Sequence, residues 1–233
     1  MWAYKYNITI HDEYNMNFII DHLFPIPVGI YESPVKITDN ELTFIKKLGR
    51  RRNKSNKTSL DSFILQHKEL HSLYKFFKES LNSYLSETIA HNQEEVDFYI
   101  TQSWANYTKG GEYHQLHKHQ NSIVSGVFYV QVNEEDSITF HNYSETSGAK
   151  YPVYINPVSF NCYNSSIWNY PVKNGQLYLF PSSLAHCVEE LPENIGDTRI
   201  SLSFNTWVKG QLGDPSQLNS LHLTTEERYD FAE

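Results

Sequence analysis

The chain has little of what marks secreted or membrane-spanning proteins. Its 233 residues include only 2 Cys, which indicates no disulfide framework and fits a reducing compartment. The longest apolar runs, such as Val127–Val130, are far shorter than the roughly 20 residues that cross a bilayer. The N-terminal segment also lacks the basic and apolar regions of a secretion signal. We therefore expect a cytoplasmic protein with no membrane partner.

An excess of positive charge is also absent. Lys and Arg total 19 against 27 Asp and Glu, and the net charge of −8 makes nucleic acid an unexpected partner. Basic charge is concentrated in residues 46–57 (KKLGRRRNKSNK). We expect this basic run to form a solvated helix end and loop. The alternative is a docking site for an anionic partner, whose binding would weaken with salt and depend on Arg50–Arg52.

Aromatic residues are abundant, at 15% of the chain with 17 Tyr, so the chain can build a hydrophobic core. The length suits a single domain over residues 1–233. Within it we expect an N-terminal appendage (1–15), a strand and helices (16–95), a β-core (96–210) and a C-terminal tail (211–233).

Two helices are predicted before residue 95. Thr38 and Glu41 have the spacing of a capping box, and apolar residues follow at helical intervals. The second helix, over about Lys68–Thr88, has a continuous apolar stripe with a period of 3.6 residues. Its members are Leu70, Leu73, Tyr74, Phe77, Leu81, Tyr84 and Leu85.

After residue 95 the apolar pattern changes to a period of two, which predicts strands. They are Phe98–Tyr107, Ile123–Val132, Ser137–Phe140, Gln176–Phe180, His186–Glu190 and Thr198–Val208. Helices followed by strands, without βαβ alternation, indicate an antiparallel α+β fold. Residues 141–175 form a long connection that we expect to be a working loop. Short strands are predicted in it near Val153–Ile155 and Val158–Asn161.

Histidines are concentrated at residues 114–119 (HQLHKH). On a strand, residues two apart share a face, so His117 and His119 can reach one ion. His114 is an odd number of residues away and is expected to face the other side. Two imidazoles on one face suit a first-row metal such as iron, zinc, copper or nickel. The alternative is a surface strand with chance histidines.

A second constellation lies in the C-terminal half. Arg199, Ser201, Ser203 and Asn205 alternate with apolar residues, so they share one face of a strand. If that face lines a cavity, its Arg needs an anionic partner, and its planar fork matches a carboxylate. His186 lies on the preceding predicted strand and is the candidate third metal ligand. Such a triad leaves positions open for a chelating co-substrate.

The stretches Asn106–Val130 and Gly175–Asn205 resemble the 2-oxoglutarate/Fe(II)-dependent dioxygenases, in the branch of the prolyl hydroxylases. They are most similar to a largely uncharacterised oxygenase family with H-x-H…S-G-V-x-Y and F-P…H…R-I-S-x-S-F-N motifs. The resemblance spans roughly residues 95–210. It implies a double-stranded β-helix, or jelly roll, with N-terminal helices packed on the outside of the sheet.

The resemblance also implies roles for individual residues. His117, His119 and His186 would be the iron ligands, and Arg199 would pair with the distal carboxylate of 2-oxoglutarate. Tyr107, Tyr129, Ser201 and Ser203 would also contact the co-substrate. For the two tyrosines the alternative is packing in the core of a Tyr-rich protein. The implied activity is hydroxylation of an unactivated C–H bond, with release of succinate and CO2. Ascorbate is an expected auxiliary reductant.

One position departs from the motif of these oxygenases. Their usual His-x-Asp/Glu is His117-Lys-His119 here, so the metal would keep its full +2 charge. Glu112 is the nearest alternative carboxylate. Alternatively, His119 faces the metal without binding it, which leaves an open position as in halogenating members of the superfamily.

Two other functions remain open at this point. One is a cupin-like enzyme with three histidines that does not use 2-oxoglutarate. The strand face with Arg199, Ser201, Ser203 and Asn205 argues against it, because such an enzyme has no general need for an arginine there. The other is a non-catalytic β-sandwich binding module. The substrate, a small molecule or a peptidyl residue, and the oligomeric state are not indicated by the residues. We expect substrate selectivity to lie in residues 141–175.

Overall fold

The computed structural model describes residues 9–10, 18–142, 155–190, 192–193 and 196–224. Its helices are α1 (Asp39–Lys47) and α2 (His71–Thr88), with short 3-10 turns at Ile64–Gln66, Lys68–Leu70 and Pro215–Gln217. The first strands are β1 (Thr9–Ile10), β2 (Phe18–Ile19), β3 (Gly29–Glu32), β4 (Arg50–Arg52) and β5 (Lys57–Ser59). The β-core follows with β6 (Val96–Thr108), β7 (His114–His117), β8 (Val124–Gln131), β9 (Ser137–His141), β10 (Ile167–Pro171), β11 (Gln176–Pro181), β12 (Ala185–Val188), β13 (Arg199–Leu212) and β14 (Leu221–Leu223).

Two antiparallel sheets make up the core. The large sheet has the strand order β3-β11-β8-β13-β6-β5-β4, with β14 added beside β13. The small sheet has the order β10-β9-β12-β7. Every pairing between these strands is antiparallel. The predicted antiparallel sheets with few helices are confirmed, and all six strands predicted after residue 95 are present with shifts of a few residues at their ends.

Both predicted helices are present. The Thr38 side chain accepts from the Glu41 N–H (3.2 Å), and the Glu41 carboxylate accepts from the Thr38 N–H (2.8 Å), which forms the capping box at the start of α1. The predicted stripe of α2 is buried apart from Tyr74, which is partly buried. From this stripe, Phe77 stacks on Phe204 of β13 with ring centroids 5.3 Å apart.

Gly126 of β8 explains part of the S-G-V motif. It lies directly opposite Phe204 of β13 in the large sheet. A Cβ atom built on Gly126 would overlap the Phe204 ring. The missing side chain of Gly126 therefore leaves room for the Phe204 ring to lie over β8. The S-G-V motif and the R-I-S-x-S-F-N motif thus depend on each other for packing.

The basic run differs from its prediction. Residues 46–47 do end α1, but Arg50–Arg52 form β4, which pairs with β5 at the edge of the large sheet. The three Arg side chains are exposed, as is common for charged residues on edge strands. The expected loop is thus a β-hairpin, because its backbone groups pair with the sheet. Docking of an anionic partner here stays a prediction.

The long connection also differs from its prediction. Ile167–Pro171 form β10, which pairs with β9, whereas Val158–Asn161 form no strand. The Asn161 side chain accepts from the Tyr163 N–H (2.8 Å), and the Asn164 side chain accepts from the Asn161 N–H (2.7 Å). These local bonds replace strand pairing. Of the other predicted strand, residues 153–154 lie outside the described residues, and Ile155 is not in a strand.

The ends of the chain are described in part. In the proposed appendage, β1 pairs with β2, and the other residues of 1–15 lie outside the described ranges. The proposed tail begins within β13 and continues to β14, while residues 225–233 lie outside the described ranges. No helix in the described part of the chain is long and apolar enough to span a membrane.

Candidate metal centre

Three histidines converge at the small sheet. His117 is the last residue of β7 and pairs with His186 of β12. His119 lies two residues beyond the end of β7, where its N–H donates to the Ser182 carbonyl (3.0 Å). One potential ligand atom from each histidine lies within 4.8 Å of the other two. The set could therefore hold one metal ion, although His119 reaches it from a loop and not from the predicted strand.

Backbone hydrogen bonds orient two of these rings. Nδ1 of His117 lies 2.8 Å from the Gln115 carbonyl oxygen, and Nδ1 of His186 lies 3.0 Å from the Leu184 carbonyl oxygen. A carbonyl oxygen only accepts, so Nδ1 must carry the proton in both rings. The lone pair is then on Nε2, which is the arrangement of metal-binding histidines.

Burial keeps the three imidazoles neutral. It lowers the pKa of His119 to about 4 and the pKa of His186 well below its ordinary value, and the neighbouring His117 adds to both effects. Burial also lowers the pKa of His117. Because a neutral imidazole has a free lone pair, the three rings can bind a cation at neutral pH without first losing protons.

His114 does not face away as predicted. Its ring stacks on His117 with centroids 4.5 Å apart and planes at 11°, and it lines the same cavity. The cause is a β-bulge: His186 and Val188 of β12 pair with His117 and His114, so the two strands advance by different numbers of residues. A bulge resets the alternation of side chains. Burial and the neighbouring histidines lower the pKa of His114 to about 3.

Arg199 lines the same cavity and is 3% exposed. Its Nη1 donates to the Ser137 carbonyl (3.0 Å) and lies 3.5 Å from Oδ1 of Asp136. The other carboxylate oxygen of Asp136 accepts from the Asn133 N–H (2.7 Å). Asp136 therefore supplies part of the anionic partner that Arg199 was predicted to need. The sequence patterns did not point to Asp136.

Tyr129, Ser201 and Ser203 line the cavity with Arg199. The Arg199 Cζ lies 5.1 Å from the centre of the Tyr129 ring. Burial raises the pKa of Tyr129 well above its ordinary value, so its hydroxyl is protonated and can donate a hydrogen bond. The Arg199 guanidinium is the charged neighbour of this hydroxyl, and its O–H has no acceptor among the described residues. An anion entering the cavity would provide one.

Asn106 of β6 is a further lining residue that the sequence analysis missed. Its Nδ2 donates to the Ser203 hydroxyl (2.9 Å), and its Oδ1 is buried with no hydrogen-bond partner in the described part of the chain. Asn106 pairs with Ser201 across the large sheet. The sequence could have indicated Asn106, because a strand that pairs with the strand of Arg199 must contribute side chains to the same face of the sheet.

The structure does not bring Tyr107 to the cavity. Tyr107 follows Asn106 on β6, so its side chain points to the opposite face, where it joins the main hydrophobic core. Its hydroxyl donates to the Ile45 carbonyl (2.5 Å), and the Arg50 guanidinium lies over its ring at 3.9 Å. The co-substrate contact implied for Tyr107 is therefore not supported, and its role is packing.

Glu112 is likewise not part of the candidate metal set. Its carboxylate accepts from the Lys109 N–H (2.9 Å) and closes the turn before β7. Trp104, in contrast, lies near the triad, with its ring 5.8 Å from that of His119. It shares the inward face of β6 with Asn106.

Comparison with known proteins agrees with this geometry. Residues 102–205, which include the three histidines and Arg199, match the family model described as "Putative 2OG-Fe(II) oxygenase". No curated protein matches the sequence at a significant level.

Several solved structures share the fold. An oxidoreductase of the 2OG-Fe(II) oxygenase family from Burkholderia pseudomallei is 8% identical, with a TM-score of 0.52 over 77% of this chain and 83% of that chain. A prolyl hydroxylase from Trichoplax adhaerens, in complex with a hypoxia inducible factor peptide fragment, is 10% identical, with a TM-score of 0.51 over 77% and 83%. HygX from Streptomyces hygroscopicus with iron bound is 11% identical, with a TM-score of 0.50 over 78% and 82%.

At these identities the structural likeness bears on the fold alone, and it agrees with the predicted jelly roll. The family model bears on the residues of the core. The match makes residues 102–205, somewhat less than half of the chain, similar to the 2-oxoglutarate/Fe(II)-dependent oxygenases.

Proposed function

We propose that the protein is a hydroxylase that inserts oxygen into an unactivated C–H bond of its substrate while 2-oxoglutarate is converted to succinate and CO2. The observation that carries this proposal is one cavity lined by three mutually close imidazoles and by a buried arginine. The imidazoles suit a first-row cation, and the guanidinium suits a carboxylate.

His117, His119 and His186 would hold Fe(II) in this proposal. Bound Fe(II) supplies the activation of dioxygen that no side chain can perform. The protein contributes neutral ligands, of which His117 and His186 are oriented by backbone carbonyls. The residues fit such an ion, because Nε2 is available as a ligand atom in His117 and His186.

Arg199 would hold the distal carboxylate of 2-oxoglutarate. Its Nη1 donates to the Ser137 carbonyl and lies 3.5 Å from Asp136, and its guanidinium also lies beside the Tyr129 ring. The Tyr129 hydroxyl is a second donor, since it is buried and its O–H has no acceptor among the described residues. Ser201 and Ser203 would add hydroxyl groups beside Arg199. Together these groups would fix the end of the diacid that lies away from the metal.

The all-histidine ligand set favours a dianionic co-substrate. Three neutral imidazoles leave the charge of the ion at +2, whereas a carboxylate ligand would reduce it by one. Asp136 moderates the positive charge of Arg199, since the two side chains lie 3.5 Å apart. The diacid would then bind between a fully charged cation and a partly neutralised guanidinium.

The proposal extends to the surroundings of the site. Phe204 contacts α2, while Ser203 lines the cavity, so the helix would cover the outer face of the large sheet as expected. Residues 1–233 would form one domain with the parts given above. Selectivity for a small molecule or a peptidyl residue would lie in residues 141–175. A cytoplasmic location and a need for ascorbate stay predictions.

Turnover of 2-oxoglutarate tests the proposal directly. The purified protein is incubated with Fe(II), ascorbate and 2-oxoglutarate, and succinate is measured. We expect slow release of succinate without substrate, and its loss in His186→Ala and Arg199→Ala. Two matched variants, His222→Ala on β14 and Arg51→Ala on β4, remove the same residue types from exposed positions and should retain the activity.

Other outcomes would contradict the proposal. Metal binding without any binding of 2-oxoglutarate would favour the cupin-like enzyme. Binding of neither would favour the non-catalytic module. Equal succinate release in the wild type and His186→Ala would show that the turnover does not occur at this cavity.

A further inference from the structure

A second group of metal-binding side chains lies next to the triad, and one of its members, Cys187, also borders the cavity. It consists of His141, the last residue of β9, Cys187 of β12 and Glu189 just after β12. One potential ligand atom from each of them lies within 4.8 Å of the other two. None of these residues belongs to the histidine triad or holds 2-oxoglutarate in the function proposed above.

This second group lies on the other face of the small sheet. His186 and Cys187 are consecutive in β12, so their side chains point to opposite sides. The same holds for Phe140 and His141 in β9, and Phe140 lies on the side of His186, with ring centroids 6.2 Å apart. The second group is therefore separated from the triad by the backbone of the sheet, and an ion bound there would be a separate ion.

The two distances from the Cys187 sulfur are close to those between the ligands of a tetrahedral zinc ion. Zinc–sulfur bonds of about 2.3 Å and zinc–nitrogen or zinc–oxygen bonds of about 2.0–2.1 Å, at a tetrahedral angle, separate the sulfur from each other ligand atom by roughly 3.5–3.6 Å. The Cys187 Sγ lies 3.6 Å from Nε2 of His141 and 3.3 Å from Oε1 of Glu189. An ion could bind between these atoms with little movement of the strands.

We propose that His141, Cys187 and Glu189 bind a Zn2+ ion on the outer face of the small sheet. A thiolate, an imidazole and a carboxylate are all common zinc ligands, and three of them leave the fourth position to water. Sulfur ligation also distinguishes this site from the triad, since thiolates favour zinc over the harder cations. Cys187 is buried, whereas Glu189 is exposed, so the ion would enter from the solvent side.

Cobalt substitution provides the test. Co2+ takes the place of zinc in such sites and gives a thiolate-to-metal charge-transfer band in the near ultraviolet when a cysteine is a ligand. We expect this band when Co2+ is added to the wild-type protein. It should persist in His117→Ala, which removes a ligand of the triad, and this makes the result independent of the proposed iron site.

The two cysteines supply a matched control. Cys162 is exposed and lies outside the second group. We expect the band to disappear in Cys187→Ser and to remain in Cys162→Ser. Because Glu189 is exposed, Glu189→Gln carries little risk to folding. This variant should weaken Zn2+ binding by at least about tenfold, because losing a residue that merely hydrogen-bonds a metal ligand already has an effect of that size.

The opposite results would overturn the proposal. If the wild type gives no charge-transfer band while Co2+ binds the triad, the Cys187 thiol is only a hydrogen-bond donor to Glu189. If the band is lost in Cys162→Ser and kept in Cys187→Ser, the thiolate ligand is elsewhere. Circular dichroism of each variant verifies that the protein remains folded.

Discussion

The guanidinium of Arg199 lies 3.5 Å from the carboxylate of Asp136, and both side chains are almost completely buried, at 4% and 1% exposure. A buried charge without a partner is costly, so each residue stabilises the other in the absence of a ligand. In the proposed function, the same arginine also binds the distal carboxylate of 2-oxoglutarate. Asp136 and the co-substrate are therefore expected to compete for the positive charge of Arg199.

Asp136→Asn tests this competition. The substitution leaves a buried arginine uncompensated, so the free energy of unfolding should fall by about 3–5 kcal/mol. 2-Oxoglutarate would then replace the missing charge, and its Kd should decrease. Urea unfolding with and without 2-oxoglutarate, in the presence of Ni2+, measures both effects. Weaker binding of 2-oxoglutarate in Asp136→Asn would mean that Asp136 orients Arg199 and does not compete with the ligand.

Arg199→Lys tests the role of the planar guanidinium. Lysine keeps the positive charge beside Asp136 but loses the fork that binds a carboxylate through two parallel hydrogen bonds. Charge-assisted hydrogen bonds contribute about 1.5–3 kcal/mol, so the Kd of 2-oxoglutarate should rise roughly 10- to 150-fold. Isothermal titration calorimetry measures the change.

Arg51→Lys is the matched control for Arg199→Lys, because Arg51 is exposed on β4. Its affinity for 2-oxoglutarate should equal that of the wild type. An unchanged Kd in Arg199→Lys would show that Arg199 does not hold the co-substrate.

Gly126→Ala tests the packing between the two motifs of the core. An alanine Cβ at this position would overlap the Phe204 ring, and overpacking of this kind costs about 1–3 kcal/mol. Gly196→Ala is the matched control, because a Cβ there has no neighbour within 4 Å among the described residues. In denaturant unfolding, the free energy of unfolding should be clearly lower for Gly126→Ala and almost unchanged for Gly196→Ala. Equal stability of the two variants would contradict the packing argument.

Patterns within a single helix or strand were predicted most reliably from the sequence. The capping box at Thr38 depends on local spacing and is present. So is the alternation of β13, which has Arg199, Ser201 and Ser203 at the cavity and the apolar residues between them in the core. His114 was misplaced because a β-bulge, which depends on pairing with β12, interrupts the alternation. Tyr107 was misplaced because the resemblance, and not the strand pattern, suggested its role.

Contacts between distant segments were beyond the reach of the sequence. Asp136 follows a turn and precedes β9, 63 positions before Arg199 in the numbering, and nothing in its neighbourhood marks it as the partner of an arginine. The group of His141, Cys187 and Glu189 was missed for the same reason, since only the pairing of β9 with β12 brings its members together. The sequence identified the residue types of the site better than their partners.

His119 provides the final test, because it replaces the carboxylate that is usual in this motif. If His119 is a metal ligand, His119→Ala should weaken Ni2+ binding by at least about tenfold, whereas His119→Asp should retain it. The aspartate would also lower the charge of the centre by one, so binding of the dianionic 2-oxoglutarate should weaken in His119→Asp. His222→Ala on the exposed strand β14 controls for the loss of a histidine. Undiminished Ni2+ binding in His119→Ala, measured by calorimetry, would instead mean that His119 faces the ion without binding it and that the site has an additional open position.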